Sequence, residues 1–201
     1  MELMDAIKKR RSIRKYKPDP VPQWMLDQIL EAARLAPSGT NSQPWKFRVV
    51  TDPSLKEKVF QCSRNQLHVQ QAPAVIVICA DTMSYSKTYK ARFKELLDKD
   101  VITQSDLNAM GLDVLTQDEE KELIKYAQSA SFNTAIATEH IALTAASLGL
   151  GTCWVHLFDK DAVSRLFGLP SWIIPATLMP VGYPDEDPEP RPRKSIEEIT
   201  F

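Results

Sequence analysis

The chain has 201 residues, of which 43% are hydrophobic and 25% charged, and its formal net charge is −1. This length is enough for one sizeable core, so a single domain over residues 1–201 is expected. The near-neutral charge argues against a nucleic-acid-binding surface, because neutralising many phosphates requires a basic excess. No apolar run approaches the roughly 18 residues of a membrane-spanning helix, and the first residues lack the apolar core of a signal peptide, so a cytoplasmic protein is expected.

The cysteines and histidines are scattered along the chain. Cys62, Cys79 and Cys153 are odd in number and widely spaced, which favours reduced thiols over disulfides. Neither residue type shows the spacing of a zinc site, so we predict no bound metal. Gly149-Leu150-Gly151 lacks the further glycine of the dinucleotide-binding fingerprint, so a Rossmann fold is not indicated.

A basic segment follows the first helical pattern, which covers residues 3–7. It contains Arg10, Arg11, Ser12 and Arg14. Arginine binds phosphate oxygens through two N–H groups at once, and a serine hydroxyl adds a further donor. Taken alone, such a run is more often a solvated basic surface, so other segments must decide between the two interpretations.

The helix and strand signals alternate along the rest of the chain. An amphipathic helix is predicted from Pro22 to about Ala36. Strands are predicted at residues 47–50, 74–80, 152–157 and 175–181, and the second is apolar on both faces, as a central strand is. Further helices are predicted to begin near Asp52, Ser84, Thr116 and Asp159. A buried helix rich in small residues is predicted from about Ala127 until Gly149 ends it, and the alternation indicates an α+β domain with a mixed sheet.

Two polar segments carry no group that titrates near neutral pH. Residues 38–44 follow the first long helix and are rich in hydrogen-bonding side chains, although a plain turn has the same composition. Asn65 and Gln66 precede the central strand, where the alternative is a surface amide pair without a role.

The C-terminal segment changes character along its length. Residues 185–192 are acidic and rich in proline, too poor in apolar groups to pack by their own burial, and Arg191 and Arg193 stand at their end. The chain then closes with three apolar side chains that need a surface to cover them: Ile196, Ile199 and Phe201. We therefore expect this tail, residues 185–201, to dock on another element, including a partner subunit.

Together these segments resemble the FMN-dependent nitroreductase family. The resemblance rests, in chain order, on RRSIR at 10–14, AARLAPSGTNSQPW at 32–45, NQ at 65–66, LGLGTCW at 148–154, GYP at 182–184 and RPRK at 191–194. Residues 82–126 show no such pattern and are expected to form a variable insert. The resemblance implies a three-layer α/β/α fold with a mixed, mainly antiparallel central sheet, and an intertwined homodimer with two FMN molecules at the subunit interface.

The resemblance also implies which residues contact FMN. One subunit is expected to supply Arg10, Arg11, Ser12, Arg14, Asn65, Arg191 and Arg193, and the other Pro37, Ser38 and Asn41. Around the flavin ring, contacts are expected from Gln66 and from the segment with Cys153, Trp154, His156 and Leu157. This chain has His156-Leu157 where relatives often have a glycine or an acid near the flavin edge.

The implied activity is transfer of hydride from NADH or NADPH, through flavin N5, to nitroaromatic, quinone or similar flat acceptors. Because the flavin carries the chemistry, no catalytic acid or base is expected from the protein. Donor and acceptor are expected to use one place in turn, by a ping-pong mechanism. Tyr85, Tyr89 and Phe93 are candidates for selecting the acceptor. The alternatives are a specialised branch, such as a flavin-consuming benzimidazole synthase or a reductive dehalogenase, and a non-catalytic anion-binding module.

Overall fold

The computed structural model describes residues 2–109 and 119–201, with the side chains of residues 119–125 left aside. The helices in these ranges are α1 (Leu3–Lys9), α2 (Gln23–Arg34), α3 (Pro53–Cys62), α4 (Leu67–Gln71), α5 (Thr82–Asp98), α6 (Gln104–Ala109), α7 (Glu119–Ser147), α8 (Lys160–Phe167) and α9 (Ile196–Ile199). The strands are β1 (Trp45–Val50), β2 (Ala74–Asp81), β3 (Gly151–Thr152) and β4 (Ile173–Gly182). The helix start predicted at Thr116 lies outside the described residues.

The sheet has the strand order β1-β2-β4-β3, and each neighbouring pair of these strands is antiparallel. All eight residues of β2 are buried, as predicted for a central strand. A parallel bridge between Ser12 and Thr152 adds the N-terminal loop to the β3 edge. The predicted α+β class is confirmed. The four described strands pair only in the antiparallel direction, and the parallel pairing is confined to the bridge between Ser12 and Thr152.

A helical layer covers each face of the sheet. Ile76 and Ile78 of β2 belong to a core that includes Ile29 of α2 and Ile141 of α7. Val75 and Val77 point to the other face, into a core that α3 and α8 complete through Val59 and Val163. Successive side chains of a strand point to opposite faces, so β2 contributes to both cores at once.

The long helix α7 is the main support of the first core. Its residues Ala130, Ala137 and Ala142 are fully buried, and such small side chains allow α2 and β2 to approach closely. Gly149 follows the helix in the left-handed conformation, with φ 79°, and Leu150 N donates to Ala145 O at 2.8 Å. This is the helix end that the sequence predicts.

No helix in the described part of the chain combines the length and the apolar content that crossing a membrane requires.

The strand predicted over 152–157 is much shorter in the structure. Thr152 pairs with Val181 in the antiparallel ladder, so Cys153 would come opposite Pro180. Proline has no N–H to donate, and the regular ladder ends there. The chain pairs once more at Val155, which exchanges two hydrogen bonds with Leu178, so most of the predicted strand is a loop on the edge of the sheet.

Candidate functional site

The N-terminal loop is fixed against the edge of the sheet at Ile13. The Ile13 N–H donates to Thr152 O at 2.9 Å, and Ile13 is buried. Gly151 lies directly beneath it, where an added Cβ would stand 2.6 Å from Ile13 Cγ1. Only glycine allows this approach, so the residues on either side of Ile13 are held at a defined place beside the end of α7.

The start of the C-terminal tail is attached to the same loop. Lys17 N donates to Tyr183 O at 2.9 Å, and Asp185 N donates to Lys15 O at 3.0 Å. The Glu186 carboxylate then accepts a hydrogen bond from the Arg14 N–H. These contacts join residues from opposite ends of the chain and set the direction in which the tail leaves.

The tail returns along α1 and forms with it a cavity of about 470 Å³, which we call the arginine cavity. Four arginines line it together with Ile7, Lys8 and Pro190: Arg10, Arg11, Arg191 and Arg193. None of the described residues that line it is acidic. Guanidinium groups gathered in this way repel one another, and an anion with several oxygens would relieve that repulsion.

Three of these arginines are oriented by neighbouring groups, and one of the three is Arg193, whose Nη1 donates to Arg191 O at 3.0 Å. Arg11 Nη1 donates to Lys8 O at 2.5 Å and to Arg10 O at 2.8 Å, while Arg11 Nε is buried without a hydrogen-bond partner among the described residues. Arg10 Nε lies 3.6 Å from Glu139 on α7. Burial raises the pKa of Glu139, and the positive charge of Arg10 opposes that rise.

Ser12 and Arg14 do not line the arginine cavity. Arg14 acts instead on the neighbouring groups Cys153 and His68. Burial raises the pKa of the Cys153 thiol, with Arg14 opposing the rise. Burial also lowers the pKa of His68, and Arg14 lowers it further while Glu186 opposes. The basic segment therefore divides. Arg10 and Arg11 line the arginine cavity with the two tail arginines, whereas Arg14 faces the β3 edge.

The predicted amide pair lies on the turn between α3 and α4. Gln66 Nε2 donates to Ser63 O and to Leu157 O, both at 2.7 Å, so this side chain connects the turn to the loop after β3. Asn65 is exposed in the left-handed conformation, with φ 57°, which asparagine tolerates better than most residues. Asn65 can present its amide to a ligand, whereas the Gln66 amide holds the backbone of Leu157.

The loop after β3 presents a mixed surface beside Asn65. The Trp154 and His156 rings stack with centroids 5.9 Å apart, and Leu157 is exposed. The Cys153 side chain is buried, with Sγ 3.7 Å from Trp154 O. Backbone groups and the rings at 154 and 156 are what this loop offers to a ligand.

Pro37 and Ser38 belong to a different cavity, of about 600 Å³, which we call the Ser38 cavity. Gly39, Tyr85, Phe132 and Asn133 are among its other lining residues. The loop is held by Asn133, whose Oδ1 accepts from Gly39 N at 2.8 Å, and by Ser38 Oγ, which accepts from Gln43 N at 2.9 Å. Asn41 is in the same loop with φ 55°.

Among the residues that the structure describes, the arginine cavity and the Ser38 cavity share no lining residue. Asn133 holds the loop of the Ser38 cavity, and Glu139 contacts Arg10 of the arginine cavity. These two residues are six positions apart on α7, which is about 9 Å along the helix. Within one chain, the structure therefore brings the four arginines together but leaves the predicted Pro37, Ser38 and Asn41 set apart from them.

Of the three aromatic candidates for acceptor choice, Tyr85 lines the Ser38 cavity. Tyr89 stacks on Tyr85 with ring centroids 6.0 Å apart, and Phe93 packs on Tyr89 at 4.7 Å. They occur four residues apart on α5, so they form one row on one side of the helix. Tyr89 and Phe93 support the position of Tyr85.

Sequence reasoning missed Asn133, Glu139 and Glu186. Asn133 was detectable, since a buried amide in a helix of small apolar residues requires a hydrogen-bond partner. Nothing local distinguishes Glu186 from the other acids of the tail, because its role depends on contact with a loop 172 residues away.

Together, the antiparallel sheet covered on both faces and the cavity of four arginines define an α+β domain with a cluster of cations where its two ends meet. Residues 7–183 match the Nitroreductase family, and the chain belongs to that family, as its motifs imply.

Two relatives and one solved structure give the extent of the similarity. NADH dehydrogenase of Thermus thermophilus is 32% identical over 100% of this chain and 96% of its own. FMN reductase (NAD(P)H) of Bacillus subtilis is 28% identical over 98% of this chain and 72% of its own. A nitroreductase-like protein of Streptococcus mutans superposes with a TM-score of 0.77 at 24% identity, covering 98% of this chain and 96% of its own.

Proposed function

We propose that this protein is an FMN-dependent oxidoreductase that uses NADH or NADPH to reduce flat, electron-poor acceptors such as nitroaromatics and quinones. The observation that carries the proposal is the arginine cavity, with four guanidinium groups and no acid among its described lining residues. Membership of the nitroreductase family supports it, as do the names of the two relatives, which specify NADH or NAD(P)H and, in one case, FMN.

The donor set of the arginine cavity fits a terminal phosphate. A phosphate monoester carries about −1.5 to −2 charges near pH 7 and has three strong acceptor oxygens. Arg10, Arg11, Arg191 and Arg193 would hold it, and the unpartnered Arg11 Nε is a buried donor that such an anion satisfies. One phosphate suits FMN, and the chain lacks the dinucleotide fingerprint that FAD would favour.

The flavin ring would be oriented by neutral groups on the β3 side of the cavity. Gln66 holds the Leu157 backbone, and Asn65 adds an exposed amide beside it. Burial raises the pKa of the Cys153 thiol, which favours its neutral form. When bound, FMN supplies the two-electron redox chemistry, and the residues of the chain orient it and exclude water.

The site is completed by a second copy of the chain. The Ser38 cavity and the arginine cavity are separate in one chain, so Pro37, Ser38 and Asn41 must come from the partner if they are to reach the same flavin. Exposed apolar side chains support a homodimer, since patches of this kind mark interfaces. They are Leu3, Met4 and Ile7 on α1, Phe132 on α7, and Ile196, Ile199 and Phe201 on the tail.

The proposal is tested by the flavin content of the purified protein. We expect a yellow protein whose cofactor, after denaturation and chromatography, is FMN at about one per chain. The bound flavin should bleach anaerobically on addition of NADH or NADPH and recover with a nitroaromatic or a quinone. FAD, or failure to bind FMN on reconstitution, would contradict the proposal.

A further inference from the structure

The loop between α2 and β1, residues 38–44, has a backbone shape that its own residues do not favour. Thr40, Asn41 and Gln43 lie in the left-handed region, with φ of 52°, 55° and 45°. Asparagine adopts this region more readily than most residues, but for a β-branched residue such as Thr40 it is an outlier. Backbone in such a conformation persists only where the surrounding structure imposes it. The loop is therefore held in its shape by its contacts with the rest of the chain.

Two consecutive residues of α7 attach the loop near its two ends. Asn133 Oδ1 accepts a hydrogen bond from Gly39 N at 2.8 Å, and Thr134 Oγ donates to Pro44 O at 2.9 Å. Both helix residues are buried, since Asn133 is 7% exposed and Thr134 0%. Hydrogen bonds in such surroundings face little competition from water, so they fix the loop relative to the helix.

The two attachments differ in how much depends on them. Pro44 O also accepts a hydrogen bond from the Asp81 N–H at 2.9 Å, so the sheet holds that end of the loop as well. The Gly39 N–H donates to no other group in the described part of the chain. Loss of the Asn133 contact would therefore release the side of the loop that contains residues 37–41.

The orientation of the Asn133 amide is fixed at both of its ends. Nδ2 donates to Ser129 O at 2.8 Å, one turn earlier on α7, and Oδ1 faces Gly39 N. The reverse orientation would place the NH2 group against the Gly39 N–H and the carbonyl oxygen against Ser129 O. The amide therefore satisfies its donor and its acceptor together only in the observed orientation. Asn133 is thus a preoriented acceptor for one backbone N–H of the loop.

We propose that Asn133 is a positioning residue for the flavin site, and that through Gly39 it holds Pro37 and Asn41 where they reach the flavin of the partner subunit. This role rests on the proposed function, in which residues 37–41 complete that site. Pro37 and Asn41 are exposed, whereas Asn133 is buried and acts through them. The phosphate is assigned to the arginine cavity, which shares no described lining residue with the Ser38 cavity. Asn133 therefore acts on binding of the flavin ring.

Binding of FMN and of riboflavin, which has the same ring but no phosphate, tests this role. Asn133→Leu replaces the amide with an apolar group of similar volume, so Gly39 N loses its acceptor. Both flavins should bind this variant at least about fivefold more weakly, the worth of one buried hydrogen bond, and their affinity ratio should stay that of the parent protein. Arg193→Ala should weaken FMN alone. Titration of the apoprotein, followed by flavin fluorescence, measures these affinities.

Two further variants separate positioning from packing. Asn133→Asp keeps the shape of the side chain, and because burial favours its neutral carboxyl, it can accept from Gly39 N and donate to Ser129 O as the amide does. It should restore most of the affinity for both flavins. Thr138→Val removes a buried hydroxyl of α7 whose hydrogen bond, to Thr134 O at 2.8 Å, lies within the helix. This matched control should bind both flavins as the parent protein does.

Amide hydrogen exchange tests the contact without any flavin. In the apoprotein, the Gly39 amide should be protected in the parent and in Asn133→Asp, and it should exchange at least about fivefold faster in Asn133→Leu. The Leu150 amide, which donates to Ala145 O at the other end of α7, should keep its rate in all three proteins. An unprotected Gly39 amide in the parent would overturn the role, and this measurement stays decisive if Asn133→Leu does not fold.

Three binding results would also overturn it. They are unchanged affinity for both flavins in Asn133→Leu, a loss confined to FMN, and an equal loss in Thr138→Val. Parent protein that binds neither flavin would instead overturn the proposed function, and exchange at Gly39 would then decide alone whether Asn133 holds the loop. Circular dichroism spectra show whether each variant is folded.

Discussion

Glu186 Oε1 accepts a hydrogen bond from the Arg14 backbone N–H at 2.5 Å and a second from the Lys15 N–H at 3.2 Å. One carboxylate thus connects the C-terminal tail to the N-terminal loop. Together with the Lys17–Tyr183 and Asp185–Lys15 backbone hydrogen bonds, this contact holds the tail beside the loop that leads to the two α1-side arginines. Glu186 is therefore a positioning residue for the arginine cavity.

Glu186→Ala is expected to weaken FMN binding by about 1–3 kcal/mol, because it removes two charge-assisted hydrogen bonds that connect the tail to the N-terminal loop. The variant should lose affinity without a change in the FMN absorption maximum, since the ring contacts are elsewhere. Titration of the apoprotein, followed by flavin fluorescence, measures this. Glu189→Ala, an exposed acid of the same tail, is the control, and equal effects in both variants would show that only tail charge matters.

Arg193→Ala is expected to weaken FMN by about 1.5–3 kcal/mol, because it removes a charged phosphate contact. Lys194→Ala, one residue further on and not a lining residue, should change the affinity by less than about 0.5 kcal/mol. Arg14→Ala should fall between them, since Arg14 faces the β3 edge. The same titration serves for all three, and unchanged affinity in Arg193→Ala would mean that the arginine cavity does not hold the phosphate.

Gly151→Ala is expected to destabilise the protein by about 1–3 kcal/mol through overpacking against Ile13. Because Ile13 fixes the basic loop, FMN affinity should fall as well. Denaturant unfolding and FMN titration measure the two effects. Adding Ile13→Ala should recover part of the FMN affinity, and a double variant that binds no better than Gly151→Ala would place the cause elsewhere.

Deletion of residues 196–201 is expected to reduce dimer stability and flavin retention together. The deleted segment contains three exposed apolar side chains that, in the proposed dimer, the partner covers. Sedimentation at several protein concentrations and flavin content after gel filtration are the measurements. A truncated monomer that keeps its FMN would contradict both the shared site and the role of the tail.

Steady-state kinetics are expected to be ping-pong, with donor and acceptor using the same place in turn. No dinucleotide fingerprint provides a second site for the nicotinamide cofactor. Initial rates against NADH or NADPH at several acceptor concentrations should give parallel reciprocal plots. Intersecting lines together with a ternary complex detected by dead-end inhibition would exclude a single shared place.

Tyr85→Ala offers a further kinetic comparison within the same experiment. Because Tyr85 lines the Ser38 cavity, the variant should change relative kcat/KM values among acceptors more than the value for the nicotinamide donor. Phe93→Ala, which removes a supporting ring, should have a smaller effect of the same kind.

Local sequence patterns were sufficient for much of the fold. The central strand was predictable because β2 is apolar on both alternations, which only burial on both faces explains. Asp52 and Asp159 cap α3 and α8 as predicted, each accepting a backbone N–H at 2.8 Å, since capping depends on residues within one turn. The basic loop, the polar loop at 38–44 and the tail arginines were also recognisable as the segments that carry the family resemblance.

The tertiary structure decided how those segments combine. That β3 stops at Thr152 follows from Pro180 on a strand some thirty residues later in the chain. That Arg10 and Arg11 meet Arg191 and Arg193 follows from contacts between the two chain ends, among them the one between Glu186 and the Arg14 N–H. Both outcomes depend on register and on contacts between distant residues. Local composition contains no information about such contacts, because side-chain periodicity is set within a few residues whereas strand pairing and tail docking are set by the packing of the whole core.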